Sequence, residues 1–97
     1  MSTLHIVRSS GFNTNALTQC LSLVSNADSI LLMDDGCYNI NHPLLIELLG
    51  NRPDVSVSII DNHAEARAQT ANKLISTITL ADMLELIFNH NNSITWS

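Results

Sequence analysis

The sequence has 97 residues, 45% of them hydrophobic, and nine acidic against four basic side chains leave a formal net charge of −5. That composition excludes a disordered chain, and the length fits one domain, residues 1–97, whose small core would benefit from burying surface against another subunit. Arg8, Arg52, Arg67 and Lys73 are scattered, which argues against direct nucleic-acid binding, and the longest unbroken apolar stretch, Ile30 to Met33, is far short of the ~20 residues of a membrane span, so a soluble protein is expected.

Strand and helix patterns alternate along the chain. Leu4-His5-Ile6-Val7 is a short β-type run, and Arg8-Ser9-Ser10-Gly11 after it reads as a loop. Asn13 or Thr14 is placed to cap a helix in which Leu17, Cys20, Leu21 and Val24 form one apolar stripe. Ser25 to Asp28 breaks that pattern. Ile30-Leu31-Leu32-Met33 has no polar alternation, as in a strand covered on both faces, and Asp34-Asp35-Gly36 ends it with turn chemistry.

Pro43 suits the first turn of a second helix capped by Asn41 or His42, with Leu44, Leu45, Leu48 and Leu49 as its apolar face and Gly50 as its stop. Val55 to Ile60 alternates with period two, as a strand does. Asp61 or Asn62 is expected to cap a short helix through Arg67, and Leu74 to Ile78 to form a further strand. Thr79 opens the clearest helix, with Leu80, Met83, Leu84, Ile87 and Phe88 on one face and Asp82 placed for a capping box. Ser93 to Trp96 closes the chain as a strand. The order β-α-β-α-β-α-β-α-β predicts a three-layer α/β/α fold with a mostly parallel five-stranded sheet.

Functional groups of such a sheet gather at the carboxyl ends of its strands. No glycine-rich phosphate fingerprint stands there, so no nucleotide site is supported. Asp34, Asp35 and Asp61 lack the later strand-end lysine of a phosphoacceptor site and read as turn and cap residues. His5, His42, His63 and His90 have no metal-ligand spacing and read as strand, cap or surface histidines. Neither metal nor cofactor is expected.

The thiols are the serious candidates for chemistry. No signal peptide precedes Cys20 and Cys37, so two free thiols in a reducing cytoplasm are expected. Cys20, on the apolar stripe, reads as a small buried hydrophobe. Cys37 is better placed to handle sulfur, as a strand-end loop residue before a helix, although Asp34 and Asp35 disfavour its thiolate. Neither has the cationic setting of a primary sulfur acceptor.

Several segments resemble the TusB/DsrH family. Leu4-His5-Ile6-Val7-Arg8-Ser9 is similar to its opening strand, and Ile30 through Asp34-Asp35-Gly36 resembles its second strand and turn. Asp61 through Ala66-Arg67 is similar to a D-L-x-A-R segment, and Asp82, His90 and Trp96 match the closing helix, histidine and last strand. Ala68 departs from the pattern, standing where the family usually has glycine. Cys20 matches a first-helix cysteine of the DsrH branch, whereas Cys37 has no counterpart.

The resemblance implies a DsrE/DsrF/DsrH-like, Rossmann-like fold and a dimer of heterotrimers with TusC-like and TusD-like sister subunits. Such a complex passes persulfide sulfur between carrier proteins towards 2-thiouridine at the tRNA wobble position, and the essential cysteine lies in the TusD/DsrE-like subunit. Arg8 and Arg67 read first as ordinary surface charges, with pairing to acidic groups or the lining of an interface as the other reading. Two other readings stay open: a standalone sulfurtransferase using Cys20 or Cys37, and a self-associating α/β module that binds a small ligand, with the isolated chain a homo-oligomer.

Overall fold

Ile30, Leu31 and Leu32 are all fully buried, which a strand achieves only where both faces of its sheet are covered. The computed structural model describes residues 2–97. Five strands, β1 (Thr3–Val7), β2 (Ser29–Leu32), β3 (Ser56–Ile60), β4 (Ile75–Ile78) and β5 (Asn92–Trp96), form a sheet in the order β4-β3-β2-β1-β5. Every neighbouring pair is parallel, so the sheet is wholly rather than mostly parallel. The helices are α1 (Ala16–Leu23), α2 (Pro43–Asn51), α3 (Asp61–Ala66) and α4 (Leu80–Phe88), and a 3-10 helix, Asp34–Asn41, follows β2.

The chain steps from β1 to β4 in one direction, then crosses back to place β5 beside β1. Right-handed crossovers put helices on opposite faces when the direction of travel reverses. Accordingly, one core joins Leu17 and Cys20 of α1, Leu45 and Leu49 of α2, Ile40 of the 3-10 helix and Ala64 of α3 to Val7, Leu32 and Ile59. On the other face Leu4, Ile6, Leu31 and Ile60 pack only beneath Met33, Ile78 and the α4 residues Met83, Leu86 and Ile87.

The helix starts show which local signals are used. His42 Nδ1 accepts the Leu44 N–H at 3.2 Å and Pro43 occupies the first turn, as the sequence predicts. Thr79 and Asp82 form a reciprocal capping box, with bonds of 3.2 and 3.1 Å. Elsewhere the elements shift. α1 begins at Ala16, later than a cap at Asn13 or Thr14 would set it, because Thr14 Oγ1 accepts from Ala16 N and bonds back to Ser10 in a preceding turn. Gly50 does not stop α2; it lies within the helix, which runs to Asn51. Asp61 is the first residue of α3 rather than its cap, which is Ile60.

Two further expectations are corrected. Asp34-Asp35-Gly36 is not a simple turn but the start of the 3-10 helix. Leu80, Leu84 and Phe88 of α4 face outward, because only Met83, Leu86 and Ile87 lie over the sheet.

The end of α3 explains the departure at Ala68. Ala68 N–H donates to the Glu65 carbonyl at 3.0 Å and Gln69 N–H to that of Ala64 at 2.9 Å, a complete Schellman motif. That motif needs a left-handed residue, and Ala68 has φ 53°. A Cβ is unfavourable there, so glycine is the better residue. Ala68→Gly should raise stability by about 0.5–1 kcal/mol, after allowance for the extra freedom of glycine in the unfolded chain. Urea denaturation checks this; an unchanged or lower midpoint would contradict it.

Candidate functional site

The carboxyl ends of β1, β2 and β3 bring together four charged side chains in two pairs. Arg8 Nε donates to Asp34 Oδ2 at 2.8 Å, and Arg67 Nε donates to Asp35 Oδ1 at 2.9 Å. Asp34 N–H donates to His63 Nδ1 at 3.0 Å, and Arg67 also reaches the His63 carbonyl at 3.2 Å. Arg8 and Arg67 therefore pair with the acidic residues, and neither is left as an isolated surface charge. Both pairs are solvent-accessible, so each contributes at most about 1 kcal/mol and their main effect is to fix the geometry of this edge. Gly36 lies against the end of β1, where a Cβ would overlap the Val7 carbonyl oxygen. Glycine is required here by close backbone approach.

Beneath this edge the thiols are sealed. Cys37 is not a loop residue: it lies in the 3-10 helix with no exposed surface, its Sγ 3.9 Å from the Leu32 carbonyl. Burial pushes its pKa up to about 11; Arg67 works in the opposite direction, and Asp34 and Asp35 add to the rise. Cys20 is likewise fully buried, and burial, with Asp28 second, pushes it up to about 12. A thiolate is the nucleophilic form of cysteine, so neither group is primed to accept sulfur in this conformation.

Of the remaining motif residues, His5, His90 and Trp96 fasten the amino-terminal end of the sheet and its last strand, whereas Ser9 and Asp61 make local bonds at the carboxyl edge. Trp96 Nε1–H donates to His5 Nδ1 at 3.2 Å, which leaves the His5 proton on Nε2, from where it is donated to Asp28 Oδ2 at 3.0 Å. Asp28 also accepts from Thr3 N–H at 2.9 Å and Ser25 N–H at 3.0 Å. Burial acts to raise the Asp28 pKa, but the bonds from Ser25, His5 and Thr3 outweigh it and hold the carboxyl below its ordinary value. His90 Nδ1–H donates to the Leu86 carbonyl at 2.6 Å, so Nε2 accepts from the Ser29 hydroxyl at 2.9 Å, and Ser29 in turn accepts from Ser56 at 2.8 Å. Ser9 bonds Thr14 through their hydroxyls at 3.0 Å, and Asp61 Oδ1 accepts from Asn62 N–H.

Sequence patterning misses the buried polar residues Asp28, Ser29 and Asn39. Asp28 anchors the clasp just described, and Asn39 ties the loop after β1 to the 3-10 helix, accepting from Gly11 N–H at 2.7 Å and donating to the Ser9 carbonyl at 3.0 Å. Among the described residues no cluster of His, Cys, Asp and Glu side chains is arranged to hold a metal. No helix among them is long and apolar enough to cross a membrane.

Fold and strand-end motifs together define a small, wholly parallel α/β protein whose thiols are out of reach. The family model described as "DsrH like protein" matches residues 9–93, and the chain belongs to the DsrH-like family, a family of sulfur-relay subunits. Among solved structures it is similar to the ychN protein from E. coli, with a TM-score of 0.69 and 15% identity over 99% of this chain and 100% of that one. It is also similar to protein Tm0979 from Thermotoga maritima, with a TM-score of 0.63 and 16% identity over 89% of this chain and 92% of that one. At these identities the likeness is one of fold. No curated protein matches the sequence.

The native protein should leave dithionitrobenzoate unreacted at pH 8 and react at both cysteines once unfolded in urea. Rapid labelling of the folded chain would contradict the burial. Asp28 gives a pH dependence of defined sign. Because its pKa is lowered by folding, its contribution is complete above the ordinary carboxylate pKa of 3.8 and is lost as pH falls through the lower native value. Asp28→Asn should cost about 1–3 kcal/mol at pH 7 and flatten that acid limb, measured by thermal unfolding across pH. An acid limb unchanged in the variant would assign the loss to another group.

Proposed function

We propose that this chain is a non-catalytic subunit of a cytoplasmic TusBCD/DsrEFH-type sulfur-relay complex. It assembles with TusC-like and TusD-like sister subunits as a dimer of heterotrimers, and the sulfur-bearing cysteine belongs to the TusD-like partner. The complex passes persulfide sulfur between carrier proteins towards 2-thiouridine at the tRNA wobble position.

The observation that carries this reading is the state of the two thiols: both are fully buried and both have pKa values far above neutrality. A chain in a sulfur-relay family whose own thiols are closed acts by shaping or docking the sulfur-bearing partner. The same observation disfavours a standalone sulfurtransferase. The net charge of −5 favours contact with proteins over contact with tRNA, and the reading calls for no cofactor.

Co-expression with TusC-like and TusD-like proteins should give one complex on affinity purification. In cells, deletion of the gene should abolish wobble 2-thiouridine, and the Cys37→Ser variant should restore it to near the wild-type level. A chain that purifies alone, or a Cys37→Ser variant that is stably produced yet behaves like the deletion, would refute this role.

A further inference from the structure

α4 is more apolar than α1 or α2, yet none of its residues is buried. Leu80, Leu84 and Phe88 are 49%, 58% and 84% exposed. Their i, i+4, i+8 spacing aligns them as one stripe pointing away from the sheet, while Met83, Leu86 and Ile87 cover it. A lone exposed leucine needs no explanation, but a continuous apolar stripe on a helix marks a surface that another molecule covers.

Charge selects the occupant. The charged residues of α4 are Asp82 and Glu85, both exposed and both acidic. Of the four cations of the chain, Arg8 and Arg67 are bound to Asp34 and Asp35, and Arg52 to the Val24 carbonyl and Asn26; the fourth, Lys73, is exposed and lies before β4, outside α4. A second copy would set the acidic flank of one α4 against that of another, with Lys73 as the one cation among the described residues not already bound, and such like-charge contact costs affinity. A stable interface takes about 800 Å² from each partner, more than three side chains supply, so the surface must extend beyond the stripe. The sheet extends the patch on both sides of α4. By register with Leu4 and Ile6, Ser93 and Thr95 share its face at one edge, and Ser56 and Ser76 do so at the other. All four are exposed and form a hydroxyl-bearing rim around the apolar centre.

We propose that the Leu80–Leu84–Phe88 stripe of α4 is the docking surface for a heterologous subunit that presents an apolar groove edged with Lys or Arg. This rests on the sulfur-relay reading above and names the surface through which the sister subunits are held.

The test uses the full chain co-expressed with its TusC-like and TusD-like partners. Leu84→Glu and Phe88→Glu should each reduce recovery of the partners at least tenfold, and Glu85→Lys should reduce it several-fold. Ile46→Glu, a comparably exposed position on α2 at the other face of the sheet, should leave recovery unchanged. Circular dichroism reports folding, and Phe88→Ala decides the matter if a charged variant misfolds, since it only trims an exposed side chain. Wild-type recovery from the folded α4 variants would overturn the docking surface while leaving the relay role intact. Failure of the wild-type chain to recover any partner would overturn both. A homodimer of the isolated chain that Phe88→Glu dissociates would assign the stripe to a second copy and overturn the heterologous occupant.

Discussion

A parallel sheet is buried on both faces, and the helices of this chain are divided unequally between them. The strand order forces that division. Three successive crossovers travel one way and lay α1, α2 and α3, together with the 3-10 helix, over one face, while the return to β5 leaves α4 alone over the other. Among the described residues α4 is the one helix that covers the thin side. The consequence is a tight core on one face and, on the other, a helix whose apolar surface exceeds what the sheet beneath it can cover.

Both halves of the functional account follow from that imbalance. On the thick side the packing that buries Val7, Leu32 and Ile59 also encloses Cys20 and Cys37, and the same desolvation keeps their protons on. Arg67 favours the Cys37 thiolate, but burial outweighs it and Asp34 and Asp35 act against it. Family-motif residues such as His5, Gly36, His90 and Trp96 prove to be fastenings: a histidine clasp on the last strand, a backbone contact only glycine permits, and a hydroxyl relay under α4. On the thin side the exposed leucines and phenylalanine ask for a partner.

Much of the fold is legible in the sequence because it is written in local chemistry. β2 shows itself by the absence of polar alternation, α2 by His42 and Pro43, and α4 by the Thr79–Asp82 box. The residues that fix the site are less legible because their partners are distant in the chain. His5 meets Asp28 across 23 positions, and Asn39 reaches Gly11 and Ser9 across 28 and 30. Cys37 is misplaced as a loop residue because a 3-10 helix carries no 3.6-residue apolar pattern to announce it. For α4 the periodicity identifies an apolar helix correctly but cannot say which part of its surface is covered from within the chain. Ala68 is a different case: the substitution is visible in the sequence, and its cost becomes apparent only with a positive φ.

In the relay proposed above, a companion polypeptide supplies the sulfur chemistry. The most direct test is to incubate the purified chain, free of partners, with a persulfide donor and to record the intact mass. The expected result is an unmodified polypeptide, with no added sulfur at Cys20 or Cys37. A persulfide formed on the folded chain within seconds, and released from it to an acceptor thiol, would contradict it.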